Sequence, residues 1–277
     1  MNLRVVTLNF WGTEAPLDRR IALAIRQLRA LAPDVVCLQE VKPHGATTTA
    51  HAIAEPLGMH AAYRRASQWQ AGERGMPTAG EEGLALITRA PLADVEVLAL
   101  PTRNPLDDQR ILLSGRVATD GGPVWLHTTH LNYRLDDGLS REVQVTAIDA
   151  RLRDFGRGNT DAPQILCGDF NATPDSDEIR FLRGLTTLAD RRTHFQDAWL
   201  RRHPDEDGIT WSSENELTRP LRSLDIDRRI DYVFVTSRKK DGRATIHDCR
   251  VVLSEREEGI CASDHYGVLA DVQVVPT

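Results

Sequence analysis

A chain of 277 residues with 41% apolar side chains can bury a sizeable core, and no linker or internal repeat of about 20 to 50 residues divides it, so one domain over 1–277 is expected. A formal charge of −6 and a pI near 5.9 exclude a wholly basic nucleic-acid-binding surface, leaving at most a local one from pairs such as Arg64-Arg65, Arg191-Arg192, Arg201-Arg202 and Arg228-Arg229, each of which alone reads as solvated surface. Four cysteines without C-x-x-C spacing argue against a zinc site or disulfide framework, and with no stretch resembling a signal peptide or approaching about 18 unbroken apolar residues, a cytoplasmic location without a membrane span is the default.

Leu3 to Asn9 alternates as a half-buried strand, and Asp18 to Leu31 follows as a helix with Ile21, Ile25 and Leu28 on one face, Asp18 as N-cap and Pro33 as stop. Val35 to Glu40 reads as a buried strand with a polar end, and residues 47 to 57 as a second helix. Ser67 to Glu82, rich in Gly and charge, reads as a long loop of the kind that often faces substrate. Strands are expected at Leu84 to Thr88, Val95 to Leu100, Ile111 to Ala118 and Val124 to His130, then a helix from Leu139 to Phe155. After a strand and turn at 164 to 174 come a helix from Ser176 to Leu185, a polar irregular stretch over 201 to 227, and strands at Arg229 to Thr236, Thr245 to Leu253 and Tyr266 to Val274. Because the strands cluster, two sheets packed face to face with helices outside fit better than one parallel sheet.

Gln164-Ile165-Leu166-Cys167 is an apolar run that breaks at Gly168 into a turn carrying Asp169 and Asn171. Side chains two apart point the same way on an extended backbone, so this carboxylate and amide can address one ligand, and Gly168 permits close backbone approach. The plainer alternative is an Asx turn entering the helix after Pro174. Other strand-like runs also end in polar clusters: Leu8-Asn9, Leu38-Gln39-Glu40, His127 through Asn132, and Arg229-Ile230-Asp231-Tyr232 with Ser263-Asp264-His265.

In chain order, Thr7-Leu8-Asn9, Leu38-Gln39-Glu40, Thr129-His130-Leu131, Gly168-Asp169-Phe170-Asn171, Ile230-Asp231-Tyr232 and Ser263-Asp264-His265 resemble the motifs of the endonuclease/exonuclease/phosphatase superfamily. These are metal-dependent phosphodiesterases that include deoxyribonuclease I, exonuclease III, the abasic-site endonucleases, neutral sphingomyelinases and inositol-polyphosphate phosphatases. The resemblance runs nearly end to end and implies an α/β fold, a four-layer α/β/β/α sandwich of two packed mixed sheets flanked by helices. It also implies Mg²⁺, with Mn²⁺ able to substitute, held by Glu40 and Asp264 with Asn9 beside them as ligand or orienter. By the same resemblance Asp231 holds and charges His265 beside the phosphate, Asp169 orients or deprotonates the attacking water, Asn171 hydrogen-bonds a phosphoryl oxygen, and His130 donates a proton to the leaving oxygen.

Histidine at 130 sides with deoxyribonuclease I and the sphingomyelinases, since the abasic-site enzymes carry a phenol there. Arg228 stands where those enzymes have a Trp, which disfavours specific abasic-site cleavage. His127, three residues earlier and on the opposite face, reads as structural. Pro101 to Gln109 and Ser254 to Cys261 are charged and lack aromatics, unlike the membrane-seeking hairpins of sphingomyelinases. Trp211 and Asn215 are candidates for the pocket border, with the core an equal home for Trp211. The leading expectation is a monomeric, Mg²⁺-dependent hydrolase of nucleic acid. The alternatives are a phospholipase C-like or small-phosphoester hydrolase using the same site, and a catalytically silent binding domain.

Overall fold

The computed structural model describes residues 2–12, 15–73, 78–104, 107–158, 162–218 and 227–276. The chain opens with β1 (Asn2–Asn9), α1 (Leu17–Leu31) and β2 (Val35–Val41), a small hairpin of β3 (Pro43–His44) and β4 (Thr47–Thr48), and α2 (Thr49–Ala54). Then come β5 (His60–Trp69), β6 (Gly80–Thr88), β7 (Ala93–Ala99), β8 (Ile111–Thr119), β9 (Gly122–His130) and the long α3 (Gly138–Gly158). The remainder runs β10 (Gln164–Asp169), α4 (Asp177–Leu182), β11 (Phe195–Asp197), α5 (Ala198–Arg202), β12 (Asp231–Thr236), β13 (Ile246–Val252) and β14 (Gly267–Gln273).

Two six-stranded mixed sheets result, ordered β13-β14-β1-β2-β6-β5 and β11-β12-β10-β9-β8-β7. Among the described residues each contains one parallel pair, β1 with β2 and β9 with β10, while the other neighbours run antiparallel. A parallel pair needs a crossover, and α1 and α3 provide it, each covering the outer face of its own sheet. The period of two sorts the side chains. Leu3 and Val5 of β1 pack between the sheets with Leu86, Leu113, Leu126 and Ile165, whereas Val6 and Leu8 pack outward on Ile21, Ala24 and Leu28 of α1. On the far side Val145, Ile148 and Leu152 of α3 join Leu166, Phe170 and Phe234. The layers are therefore α/β/β/α, as the resemblance implied.

Three local expectations need correction. The loop expected from Ser67 to Glu82 is shorter than expected: the described residues 70–73 and 78–79 are in no strand, but its two ends belong to β5 and β6, which pair from His60–Thr88 to Trp69–Gly80, and residues 74–77 lie outside the described residues. Here β5 is an edge strand with one wet face, so its charged composition imitates a loop. Asp18 lies inside the first turn of α1, and Pro16 occupies the N-cap. The polar stretch at 201 to 227 begins with the end of α5, a helix started by Asp197 accepting from the Trp199 and Leu200 N–H groups; residues 219–226 of that stretch, like 105–106 of the Pro101 to Gln109 segment, lie outside the described residues. No helix among the described residues is long and apolar enough to cross a membrane.

Candidate active site

Strand direction assembles the site. β1, β2, β9 and β10 all end at one edge of the sandwich and β12 begins there, which collects Asn9, Glu40, His130, Asp169 and Asp231, with Asp264 and His265 just ahead of β14. Ligands of α/β sheets gather outside the carboxyl ends of parallel strands in this way. Glu40 adopts a left-handed backbone (φ 52°) where the β2–β6 register shifts between Leu38 and Val41, a break in the pleat that re-aims its carboxylate into the cleft. Gly168 (φ 147°) lets β10 lie against β9, since a Cβ there would sit 2.0 Å from the Thr129 carbonyl oxygen.

A cleft of about 410 Å³ opens at this edge, and seven of the eight candidate residues line it, all but Asp231, which stands behind His265. Asp169 Oδ2 is the hub. It accepts from Asn9 Nδ2 at 3.0 Å and faces His130 Nε2 at 3.4 Å and His265 Nε2 at 3.9 Å. Its other oxygen accepts the Asn171 N–H at 2.8 Å, and the Asn171 amide donates to the Leu131 carbonyl at 3.2 Å. Asn9 Nδ2 also donates to Glu40 Oε1 at 3.0 Å, while its own Oδ1 accepts the Trp11 N–H at 3.2 Å. That arrangement matches the orienting alternative for Asn9 more closely than the ligand one.

Burial governs the charges. The Glu40 carboxyl is pushed up to about 7 by burial and then by the Glu82 and Asp264 charges, and Asp264 is raised by burial as well. Asp169 is pushed up to about 6 by burial and by Asp231. Burial opposes a charge on His265, yet Asp231, with its Oδ2 at 2.8 Å from Nδ1, together with Asp169 and Asp264, outweighs it and pushes the ring up to about 10. His265 is thus an imidazolium at neutral pH. His130 goes the other way: burial, then the Arg110, His265 and Lys42 cations, hold it well below its ordinary value. The expected proton donor is therefore a neutral imidazole in the resting site.

Glu40, Glu82 and Asp264 bring three carboxyl groups to the cleft, with Lys42 Nζ and Arg110 Nη1 each 3.6 Å from Glu82. An all-oxygen donor set of this kind fits a hard divalent cation. Asp169, Asp231 and His265 also bring ligand atoms within 4.8 Å of one another. A protonated His265 whose Nδ1 is held by Asp231 has no lone pair to offer a metal, so that trio is better suited to moving and holding protons.

The segment after α5 ties these parts together. Thr210 Oγ1 accepts the N–H groups of Ile230 at 3.1 Å and Asp231 at 3.2 Å, and Asn215 Nδ2 donates to the carbonyls of Ser263 at 2.8 Å and Asp264 at 3.0 Å. Ser263 Oγ donates to the Asn9 carbonyl at 2.6 Å, and the Trp211 ring meets His265 edge-on at 4.9 Å while lining the cleft. Sequence reasoning placed Trp211 and Asn215 near the border, gave Thr210 no role, its only signal being that small polar residues recur in an irregular stretch, and named Ser263 within the Ser263-Asp264-His265 motif without its bond to Asn9. His127, read as structural, is buried between Ser114 and Gln164. The arginine pairs do not share a face: Arg229 is buried on Asp197, Arg191 is held by Asp149, and of the eight only Arg228 lines the cleft.

Residues 6–265 match the sequence model of the Endonuclease/Exonuclease/phosphatase family. No curated protein sequence matches the chain significantly. Among solved structures, truncated Caenorhabditis elegans TDP2 is similar with a TM-score of 0.73 at 17% identity, covering 99% of this chain and 98% of that one. An endonuclease/exonuclease/phosphatase from Beutenbergia cavernae DSM 12333 gives 0.74 at 23% identity, covering 99% and 72%. D. rerio TDP2 complexed with single strand DNA product gives 0.70 at 21% identity, covering 98% of each. Such identities speak for a shared fold, and the match over nearly the whole chain speaks for more: the chain belongs to the Endonuclease/Exonuclease/phosphatase family, whose enzymes are metal-dependent phosphodiesterases.

Proposed function

We propose that the chain hydrolyses phosphodiester bonds of nucleic acid with Mg²⁺, acting as a single-domain cytoplasmic monomer. One observation carries the reading: Asp169 stands between an imidazolium and a neutral imidazole, in a cleft whose other wall is Glu40 and Asp264. In this reading Glu40 and Asp264 hold the cation and Asn9 orients Glu40; the bound cation supplies the charge that offsets the phosphoryl oxygens. Asp169, whose carboxyl exchanges its proton near pH 6, positions and deprotonates the attacking water. His265 presents a charged Nε2–H to a phosphoryl oxygen, and Asn171 adds an amide N–H. His130 hydrogen-bonds the leaving oxygen as a neutral ring and becomes its proton donor once the phosphate charge has raised its affinity for a proton. Nucleic acid is the favoured substrate because Arg110 and Arg228 line the same cleft, and because the similar D. rerio protein was solved with single strand DNA product.

The test is a substrate panel of single-stranded DNA, plasmid, RNA, sphingomyelin vesicles and bis-p-nitrophenyl phosphate. Nucleic acid should be cut with Mg²⁺ or Mn²⁺, cutting should stop with chelator, and vesicles should be left nearly untouched. In an acidic chain only a few cations reach phosphates, so duplex binding should weaken with a log-log salt slope of roughly −2 to −4. Full rates in excess chelator would remove the cation from the reading. Rapid hydrolysis of a choline or inositol phosphate ester without action on nucleic acid would replace the substrate and leave the metal argument standing.

A further inference from the structure

Two large apolar side chains stand in water at the mouth of the cleft, just past His130. Tyr133 is 54% exposed and Leu135 is 63% exposed, and both line the cavity. Their loop is firmly braced from behind. The Leu131 N–H donates to the Asp169 carbonyl at 3.0 Å, the Asn132 N–H to Gln144 Oε1 at 3.0 Å, and Asn132 Nδ2 to Asp107 Oδ2 at 2.9 Å. Arg134 donates from its backbone to Asn132 Oδ1 at 2.8 Å and from Nε to Asp107 Oδ1 at 2.9 Å, and Arg141 Nη1 donates to the Arg134 carbonyl at 2.6 Å. Asp107, Asn132, Arg141 and Gln144 are all buried, so an internal polar network fixes a backbone that presents Tyr133 and Leu135 outward.

Rigid display of apolar area beside a catalytic cleft marks a contact surface. Its neighbours say what kind. The buried Arg110 guanidinium lies 5.9 Å from the centre of the Tyr133 ring, and Arg110 and Arg228 line the same cavity. An aromatic face next to cations, one step from the candidate proton donor, fits a flat group joined directly to a phosphate. We infer that Tyr133, flanked by Leu135, is the platform on which the base next to the scissile phosphate stacks. Because a base inside a duplex has both faces covered by its neighbours, the site then selects unpaired strands. This deepens the nucleic-acid reading above and rests on it.

The experiment uses oligodeoxynucleotides with a single cleavable phosphodiester, methylphosphonates elsewhere, and either a base or an abasic sugar on each side of the cleavable bond. Wild type, Tyr133→Ala and Tyr133→Phe are compared. For wild type, removing one of the two flanking bases should raise KM by about 10-fold, the scale of losing one stacked base, with a much smaller effect on kcat. Tyr133→Ala should show the same rise with both bases present and no further rise when that base is removed, Tyr133→Phe should behave like wild type, and single strands should be cut faster than blunt duplex. Equal costs of base removal in wild type and Tyr133→Ala, or equal rates on single strands and duplex, would overturn the platform while the nuclease reading stands. No cleavage of any oligonucleotide alongside turnover of bis-p-nitrophenyl phosphate would overturn both, as would loss of vesicle binding and sphingomyelin hydrolysis in Tyr133→Ala.

Discussion

The β13-β14-β1-β2-β6-β5 sheet and the β11-β12-β10-β9-β8-β7 sheet repeat one plan, with a central parallel pair joined by a crossover helix and an antiparallel neighbour bordering it. Equivalent places in the two plans carry different chemistry. Asn9 ends β1 where Asp169 ends β10, Glu40 follows the paired part of β2 where His130 ends β9, and Asp264 and His265 precede β14 where Asp231 opens β12. The first sheet supplies hard oxygens whose carboxyls are raised, and the second supplies Asp169, His130 and Asp231, groups suited to handling protons. His265 crosses the division, carried by the first sheet and charged by Asp231 of the second. The comparison teaches that a common frame fixes where the site is, while burial and the sign of neighbouring charges fix what each wall does.

The division breaks most severely by removing charge from the oxygen wall. Glu40→Gln keeps the volume and should lower kcat/KM by at least ~10³-fold. It should also make the metal-free protein more stable at alkaline pH. Glu40 has its folded pKa raised from 4.5 to about 7, so the wild-type carboxyl costs nothing below pH 4.5, costs more as pH climbs to about 7, and then costs a constant amount. Calorimetry of both metal-free proteins should show a Tm gap that opens between pH 5 and pH 8 in favour of the variant, while Mg²⁺ raises the Tm of wild type alone. A variant that stays active, or is less stable at both pH values, contradicts the division.

Next in size is the proton wall. Among the described residues Asp231 Oδ1 has no hydrogen-bond partner, so in Asp231→Asn the amide oxygen still accepts from His265 Nδ1 while the new amide N–H is buried without an acceptor, a cost to stability of about 1–3 kcal/mol on top of the lost charge. Burial then dominates His265, and the ring is neutral at pH 8. Turnover at pH 8 should fall by ~10²-fold or more, and the wild-type alkaline limb near pH 10 should shift down by several units. Stability has the matching sign: the His265–Asp231 pair contributes fully below about pH 6.5 in wild type and is lost as pH rises through about 10. An unchanged limb in the pH profile would reduce Asp231 to scaffolding.

How much of this was legible follows from the range of each signal. An apolar run that breaks at a polar residue is local, so the ends of β1, β2, β9 and β10 could be read before any fold was known. The links between walls are not local. Asn9 meets Glu40 and Asp169 across 31 and 160 residues, Thr210 holds the backbone at the start of β12 from 21 residues away, and His130 is kept neutral by burial and by the Arg110, His265 and Lys42 cations from other parts of the chain. Each depends on register, which the chain alone does not print. The β5–β6 hairpin hid for another reason, since the polar end of edge strand β5 and the Gly80-Glu81-Glu82-Gly83 start of β6 have the composition of a loop.

The smallest expected effect is the sharpest test of whether the two walls must be held in register. Gln39, next to Glu40, sits between the sheets, and its Nε2 donates to Thr7 Oγ1 at 3.2 Å and to Thr128 Oγ1 at 2.9 Å, the latter two residues before His130. All three are fully buried beside an apolar layer between the sheets, so they bridge the sheets directly beneath the site. Gln39→Leu leaves the Thr7 and Thr128 hydroxyls buried without that partner and should cost about 1–2 kcal/mol of stability, whereas Gln39→Leu with Thr128→Val removes one of the two stranded hydroxyls and should recover part of it. Activity should not recover with stability. A bridge that sets the spacing of the walls is absent from both variants, and a small misplacement of reacting groups lowers rate, so kcat should stay down by roughly 3- to 10-fold in the double variant. Full recovery of kcat along with Tm would mean that the bridge only satisfies itself and that packing alone aligns the two sheets.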